Sequence, residues 1–115
     1  KMIKNEDQLS SEITKTVNSN KLLIVKFYAD WCITCNKLER VVFSNKAVNE
    51  ALKETLTSTL DVTDNNRFNQ SMLARFSLVG PPALLFFKNG LEQRSYRIIG
   101  EISTEELVEH LNNLR

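Results

Sequence analysis

Two short runs of this 115-residue chain are apolar at almost every position: Leu22-Leu23-Ile24-Val25-Lys26-Phe27-Tyr28 and Ala83-Leu84-Leu85-Phe86-Phe87. Their length and their β-branched and aromatic residues read as strands. A strand without polar alternation has to be covered on both faces. The fold is thereby narrowed to a sheet between two layers of helix. Amphipathic segments to supply those layers are present. Leu9, Ile13 and Val17 predict a helix over 7–18, ended by Asn18-Ser19-Asn20. After Ala29-Asp30-Trp31 a helix is predicted over 32–42, and Ser44 can cap a short one carrying Val48, Ala51 and Leu52. Residues 56–62 read as a strand. Thr63-Asp64 offers caps for a helix through residue 76, with Phe68, Met72 and Phe76 on one face.

Gly80-Pro81-Pro82 then breaks the chain. Asn89-Gly90 is a hairpin signal, so a strand over 93–99 should return antiparallel. Ser103 with Glu106 forms a capping box ahead of Leu107, Leu111 and Leu114. The order α-β-α-β-α-β-β-α predicts one α/β domain from end to end, a sandwich with a mixed sheet.

Composition removes several classes of function. Hydrophobic residues are 42% and charged residues 25%, the balance of an ordinary soluble globule rather than a disordered chain. The net charge is +1 with no basic stripe, so no nucleic-acid footprint is visible. No apolar run approaches the roughly 20 residues a membrane helix needs, so this segment is not expected to span a bilayer. Residues 1–7 do not read as a secretory leader, which leaves a cytosolic protein or a mature or excised domain. There is no Gly-rich phosphate loop. The single His110, expected at the surface of the last helix, assembles no Ser/His/Asp or Cys/His set.

The chemistry is concentrated in Cys32-Ile33-Thr34-Cys35, the whole thiol inventory. Residues one helical turn apart lie about 5–6 Å apart at Cβ, close enough to close a disulfide. The first cysteine falls where a strand gives way to a helix. There, unpaired N–H groups and the helix dipole favour the thiolate, lowering a thiol pKa from about 8.5 towards roughly 3.5–7.5. Cys32 is therefore assigned as the nucleophile and Cys35 as the resolving thiol. Zinc would want four ligands, and His110 does not complete a set, so no metal is assigned. A pair of buried structural cysteines is the remaining alternative.

The run Phe27-Tyr28-Ala29-Asp30-Trp31-Cys32-Ile33-Thr34-Cys35 resembles the active-site segment of the thioredoxin superfamily, and Gly80-Pro81-Pro82 before 83–87 resembles its cis-proline loop. Ile33-Thr34 is not the Gly-Pro of cytosolic thioredoxins. The run into Cys32, Glu39, Val41-Val42-Phe43-Ser44 and Asp61-Val62-Thr63 are most similar to the C-terminal periplasmic domain of the DsbD family of membrane-spanning thiol–disulfide interchange proteins. The resemblance implies a thioredoxin-like three-layer sandwich, excised from a larger inner-membrane protein and periplasmic, with cytoplasmic as the alternative. It implies a monomeric protein-disulfide reductase without cofactor. Electrons would come from a membrane-embedded cysteine pair and pass to an N-terminal immunoglobulin-like domain. That domain serves periplasmic isomerases and cytochrome c biogenesis. Carried onto this chain, Cys32 and Cys35 exchange, Trp31 flanks them and Pro82 faces them. A free-standing thioredoxin-like reductase or oxidase, and a binding module with incidental cysteines, stay open.

Three positions depart from the family pattern. Where relatives carry a buried acid, this chain has Lys26, on a strand face shared with Leu22, Ile24 and Tyr28. A buried ammonium needs a partner, and Glu39 on the following helix is the candidate. A Lys26–Glu39 pair beneath Cys35 would favour the thiolate, whereas a Lys26 that snorkels to water would touch neither sulfur. Pro81, just before the cis-proline, lacks the N–H that relatives can offer a partner. One recognition hydrogen bond of about 0.5–1.5 kcal/mol should be missing, shifting weight to apolar contact. Asn36 follows Cys35 where relatives often carry Lys, which predicts a weaker positive field.

Overall fold

The computed structural model describes all 115 residues. Its elements are α1 (Glu6–Thr14), β1 (Leu22–Tyr28), α2 (Ile33–Lys37), a π-helical turn (Leu38–Val42), α3 (Lys46–Ala51), β2 (Leu56–Asp61), α4 (Arg67–Arg75), β3 (Ala83–Lys88), β4 (Leu91–Glu92), a 3-10 turn (Arg94–Tyr96), β5 (Ile98–Ile99) and α5 (Thr104–Leu114). The sheet runs β2-β1-β3-β4, with β5 also on β3. β1 pairs β2 in parallel and β3 antiparallel, Val25 meeting Ser58 on one side and Leu85 on the other. The mixed sheet and its helical layers are those of the thioredoxin fold.

Alternation within the two apolar strands builds two cores. Leu23, Val25 and Phe27 of β1 and Leu85 and Phe87 of β3 pack with Leu9, Met72 and Phe76 on one face. Leu22, Ile24, Leu84 and Phe86 pack with Leu38, Val48, Leu107 and Leu111 on the other. Burying a Leu or Phe side chain stabilises by roughly 1.5–3 kcal/mol, so the central strands carry much of the fold's stability. At Asn89-Gly90 both residues take positive φ, 53° and 79°, as the tight β3–β4 turn requires. A Cβ on Gly90 would stand 2.9 Å from Val17 Cγ2, so glycine is fixed there by backbone and space together.

Several elements differ from the sequence expectation. α1 stops at Thr14, and Asn45 and Asn66, not Ser44 and Thr63-Asp64, cap α3 and α4. The helix from the cysteines changes to π geometry at Leu38, which periodicity does not reveal. The single strand expected over 93–99 is divided by the 3-10 turn at Arg94–Tyr96. A further short pairing, Met2 with Thr59, covers the outer edge of β2. His110 is not a bare surface residue: its Nε2 lies 2.6 Å from the Tyr96 carbonyl, and its ring packs against Phe86 and Tyr96.

Candidate functional site

β1, an interior strand, delivers the chain to one end of the sheet, and residues 29–32 turn it into α2. Cys32 is the N-cap of α2, and its sulfur accepts the Cys35 N–H at 3.1 Å. The sulfur thus stands where a helix offers unpaired donors. Cys32 and Cys35 are joined as a disulfide with their Cα atoms 5.2 Å apart. Cys32 is 7% exposed and Cys35 2%, so the first sulfur is the one nearer solvent.

The turn is held from the neighbouring strand. Thr63, just past β2, accepts the Asp30 N–H on its hydroxyl at 2.8 Å and the Trp31 indole N–H on its carbonyl at 3.1 Å. Asp61 fixes Thr63 by accepting both its N–H and its hydroxyl. Trp31 is consequently pinned at its nitrogen while 62% exposed. The Asn36 amide donates to the carbonyls of Asp30 and Cys32, closing the turn from within. The residue expected to weaken a positive field therefore acts as a clamp. The Tyr28 hydroxyl donates to Asp30 at 3.0 Å. That hydrogen bond, with desolvation and the charges of Asp30, Asp61 and Glu39 behind it, raises the phenol above its ordinary range.

Beneath the disulfide is a crevice of about 10 Å3 lined by Cys35, Lys26, Tyr28, Glu39, Phe43 and Pro82. That is close to the room one water molecule needs. Lys26 Nζ donates to both Glu39 oxygens at 3.2 Å and lies 4.4 Å from the Phe43 ring centroid. The Lys26 side chain is 16% exposed and Glu39 43%. Glu39 lies on the π-helical turn, and Phe43 closes it with an N–H to the Leu38 carbonyl. Widening of the helix there is what brings both over Lys26. The Lys26–Glu39 pair suggested by the sequence is thus present, and it borders the same void as Cys35.

The Pro81–Pro82 peptide is cis, and the loop that carries it presents a fully exposed Val79. With Trp31 and Ile33, the latter 86% exposed, Val79 leaves large apolar side chains bare in the two segments that flank the disulfide. Trp31 and Ile33 adjoin Cys32 in the chain, and Val79 lies three residues before Pro82, which lines the crevice with Cys35; exposed apolar side chains next to a reactive bond suit docking. No group of three or more His, Cys, Asp or Glu side chains stands close enough to hold a metal. Asn36 was singled out for its missing charge and not for its hydrogen bonds, and Phe43 and Thr63 stood only within the runs that carry the resemblance; Thr63, a hydroxyl at a strand end, reads equally well as a helix cap.

The thioredoxin family model matches residues 2–113. The chain is 33% identical over 114 residues to a protein of Pseudomonas sp. (strain JR1 / K1) called thiol:disulfide interchange protein DsbD, covering 98% of this chain and 20% of the relative. The Pseudomonas aeruginosa protein called thiol:disulfide interchange protein DsbD 1 is 36% identical over 105 residues, 90% of this chain and 18% of that one. The chain thus spans about a fifth of the length of these curated relatives. Among solved structures, the oxidised C-terminal domain of Neisseria meningitidis DsbD superposes with a TM-score of 0.83 at 22% identity, covering 100% of both chains. A Fasciola hepatica thioredoxin gives a TM-score of 0.76 at 22% identity, covering 100% of this chain and 99% of that one. At such identities the structural likeness speaks for the fold.

Proposed function

The chain belongs to the thioredoxin family, and on that premise we propose that it is a thiol–disulfide oxidoreductase domain that relays electrons between protein partners through Cys32 and Cys35. One observation carries the proposal above all. The outer sulfur sits at the mouth of a helix, bonded to a second sulfur one turn deeper, between exposed apolar side chains.

In the reduced domain the Cys32 thiolate attacks one sulfur of a partner disulfide. The partner's S–S bond breaks, its second sulfur leaves as a thiolate, and a mixed disulfide forms. The Cys35 thiolate then attacks the Cys32 sulfur. The mixed disulfide breaks, the partner departs with two thiols after taking up two protons, and Cys32–Cys35 closes. Two electrons have passed to the partner, and a partner dithiol returns them by the reverse sequence. Trp31 and Pro82 flank the sulfurs on the partner side. Lys26 lies behind them, where its charge favours thiolate and Glu39 opposes it.

The relatives' names and shared sequence support a place within a DsbD-type system. The partners in that proposal are a membrane-embedded cysteine pair as donor and an N-terminal immunoglobulin-like domain as acceptor, in the periplasm. No helix of this chain is long and apolar enough to cross a membrane. Neither Pro81 nor Pro82 has an N–H, so docking rests on the unpaired backbone groups of Val79 and Gly80, on the Pro81 carbonyl, and on the side chains of Trp31, Ile33 and Val79.

Insulin reduction by the pre-reduced domain tests the proposal. With dithiothreitol added to re-reduce the domain, turnover above the dithiothreitol background is expected, with none for Cys32→Ser; without it, pre-reduced Cys35→Ser should trap a mixed disulfide. A folded, reduced wild-type domain that leaves insulin intact would instead make this a binding module with incidental cysteines.

A further inference from the structure

The six residues from Ser77 to Pro82 lead from α4 into β3. Val79, which is fully exposed, and the half-buried Gly80 and Pro81 make no backbone hydrogen bonds of their own. Its two ends are nevertheless tied, and one short segment ties both. Arg97 Nη1 donates to the Phe76 carbonyl at 2.7 Å, just before the loop begins. Three residues on, the Gly100 N–H donates to the Pro82 carbonyl at 3.2 Å, where the loop ends. Between these points Ile98 and Ile99 pair with Leu84 and Ala83. Residues 97–100 therefore form a clip across the loop.

Glu92 aims the clip. It accepts from Arg97 Nε at 2.5 Å and Nη2 at 2.8 Å, a two-pronged contact that leaves Nη1 directed at Phe76. Both side chains are only 13% exposed. The anchored end is itself rigid: the Phe76 ring is buried and meets Phe27 and Phe87 edge-on. A buried ion pair is poor value as stabilisation alone, since apolar residues of similar volume often serve as well or better. What it supplies here is a fixed direction for one donor.

We propose that Arg97 is a positioning residue for partner docking. Held by Glu92, it fixes the start of the 77–82 loop so that the loop's unpaired backbone groups and Val79 are already placed when a disulfide-bearing polypeptide arrives. An ordered loop need not be ordered on binding, which favours complex formation. The proposal deepens the exchange function proposed above and rests on it. It predicts an effect on large substrates that need the loop and none on small disulfides that reach Cys32 without it.

The test compares two substrates, insulin in turnover with dithiothreitol re-reducing the domain, and 5,5′-dithiobis(2-nitrobenzoate) in a single turnover of the pre-reduced domain. The variants are R97K and the double variant E92M/R97M, which removes both charges together and keeps the volume. For insulin, KM should rise about two- to tenfold in the double variant, the equivalent of one hydrogen bond's worth of docking, with R97K between it and wild type. The insulin kcat and the rate with the small disulfide should stay within a factor of two of wild type. Amide exchange at Leu78 should quicken in both variants. An unchanged insulin KM in the folded double variant overturns the proposal, and so does a parallel fall with both substrates. Should the double variant not fold, the insulin KM of R97K decides in the same way. If wild type reduces the small disulfide but not insulin, the exchange function fails and not the positioning role alone.

Discussion

Two ion pairs, one at the crevice of Cys35 and one at the start of the 77–82 loop, are built differently. Lys26–Glu39 joins β1 to the π-helical turn, with its cation in the crevice at Cys35 and its carboxylate 43% exposed. Arg97–Glu92 lies within the edge hairpin, with both partners 13% exposed and a third bond committed to the Phe76 carbonyl. Charge acts at a distance only where water and counter-charge leave some of it unscreened, whereas a sealed pair acts through shape. The first pair borders the crevice of Cys35, the placement on which its proposed effect on the sulfurs rests. The second is placed to hold a backbone carbonyl. An ion pair's role near a site follows from what its open donors and acceptors face.

Stability separates them most. Truncating Arg97 to Ala leaves the Glu92 carboxylate buried and unpaired, which should destabilise the fold by about 3–5 kcal/mol. Lys26→Met should lose about 1 kcal/mol or less, since the carboxylate it leaves behind, Glu39, is 43% exposed and methionine keeps most of the buried stem. Urea unfolding of both variants measures the gap. Equal losses would mean the two pairs are energetically alike, and the distinction drawn from burial would go.

Chemistry should separate them in the opposite sense. Lys26→Met removes a cation and leaves an anion, so the midpoint of the Cys32 alkylation–pH curve should rise. Glu39→Gln does the reverse and should lower it. Each shift is expected at ~0.5–1 pH unit, below the 1–3 units of a charge in direct contact, because both groups border Cys35 rather than Cys32 and Glu39 is partly in water. Both shifts should shrink in 1 M salt, where the screening length is about 3 Å. R97K should leave the curve in place. A Lys26→Met curve superimposable on wild type means that Lys26 serves packing only.

The same contrast explains what could be read from the sequence. Continuous apolar runs at 22–28 and 83–87, the Asn89-Gly90 turn and the Ser103/Glu106 capping box each act locally. Each is found as expected: Ser103 and Glu106 exchange both bonds, and β3 turns back at Lys88. Lys26–Glu39 was legible because a lysine in an apolar strand demands a partner, and the next helix holds Glu39 within reach. Arg97–Glu92 was not, because Gln93 to Ile99 reads as one strand. The interruption at Arg94–Tyr96 arises from tertiary contacts that no local pattern encodes. The π-helical turn was hidden for the same reason, since an α period over 32–42 fits its apolar residues equally well. Thr63 was visible, but a hydroxyl ahead of a helix reads first as a cap. Its work on Asp30 and Trp31 depends on β2 lying beside β1.

The smallest expected difference is seen at Tyr28. Its phenol is raised first by the hydrogen bond to Asp30, then by desolvation and by the charges of Asp30, Asp61 and Glu39. Glu39 is among those charges, so the first ion pair reaches this group. A raised folded pKa means the neutral phenol is favoured in the fold. The contribution is complete below the unfolded value of about 10 and disappears as pH climbs through the folded one. No stability change from Tyr28 is therefore expected between pH 5 and 9. The chain has two tyrosines, so the absorbance at 295 nm of wild type minus Tyr28→Phe isolates this titration. Its midpoint should lie above 10. It should fall most in Asp30→Asn, slightly in Glu39→Gln, and not at all in Glu92→Gln. A shift in the Glu92 variant matching that in the Glu39 variant would show that the sealed pair's charge also reaches the cysteine turn, and would remove the division between field and shape.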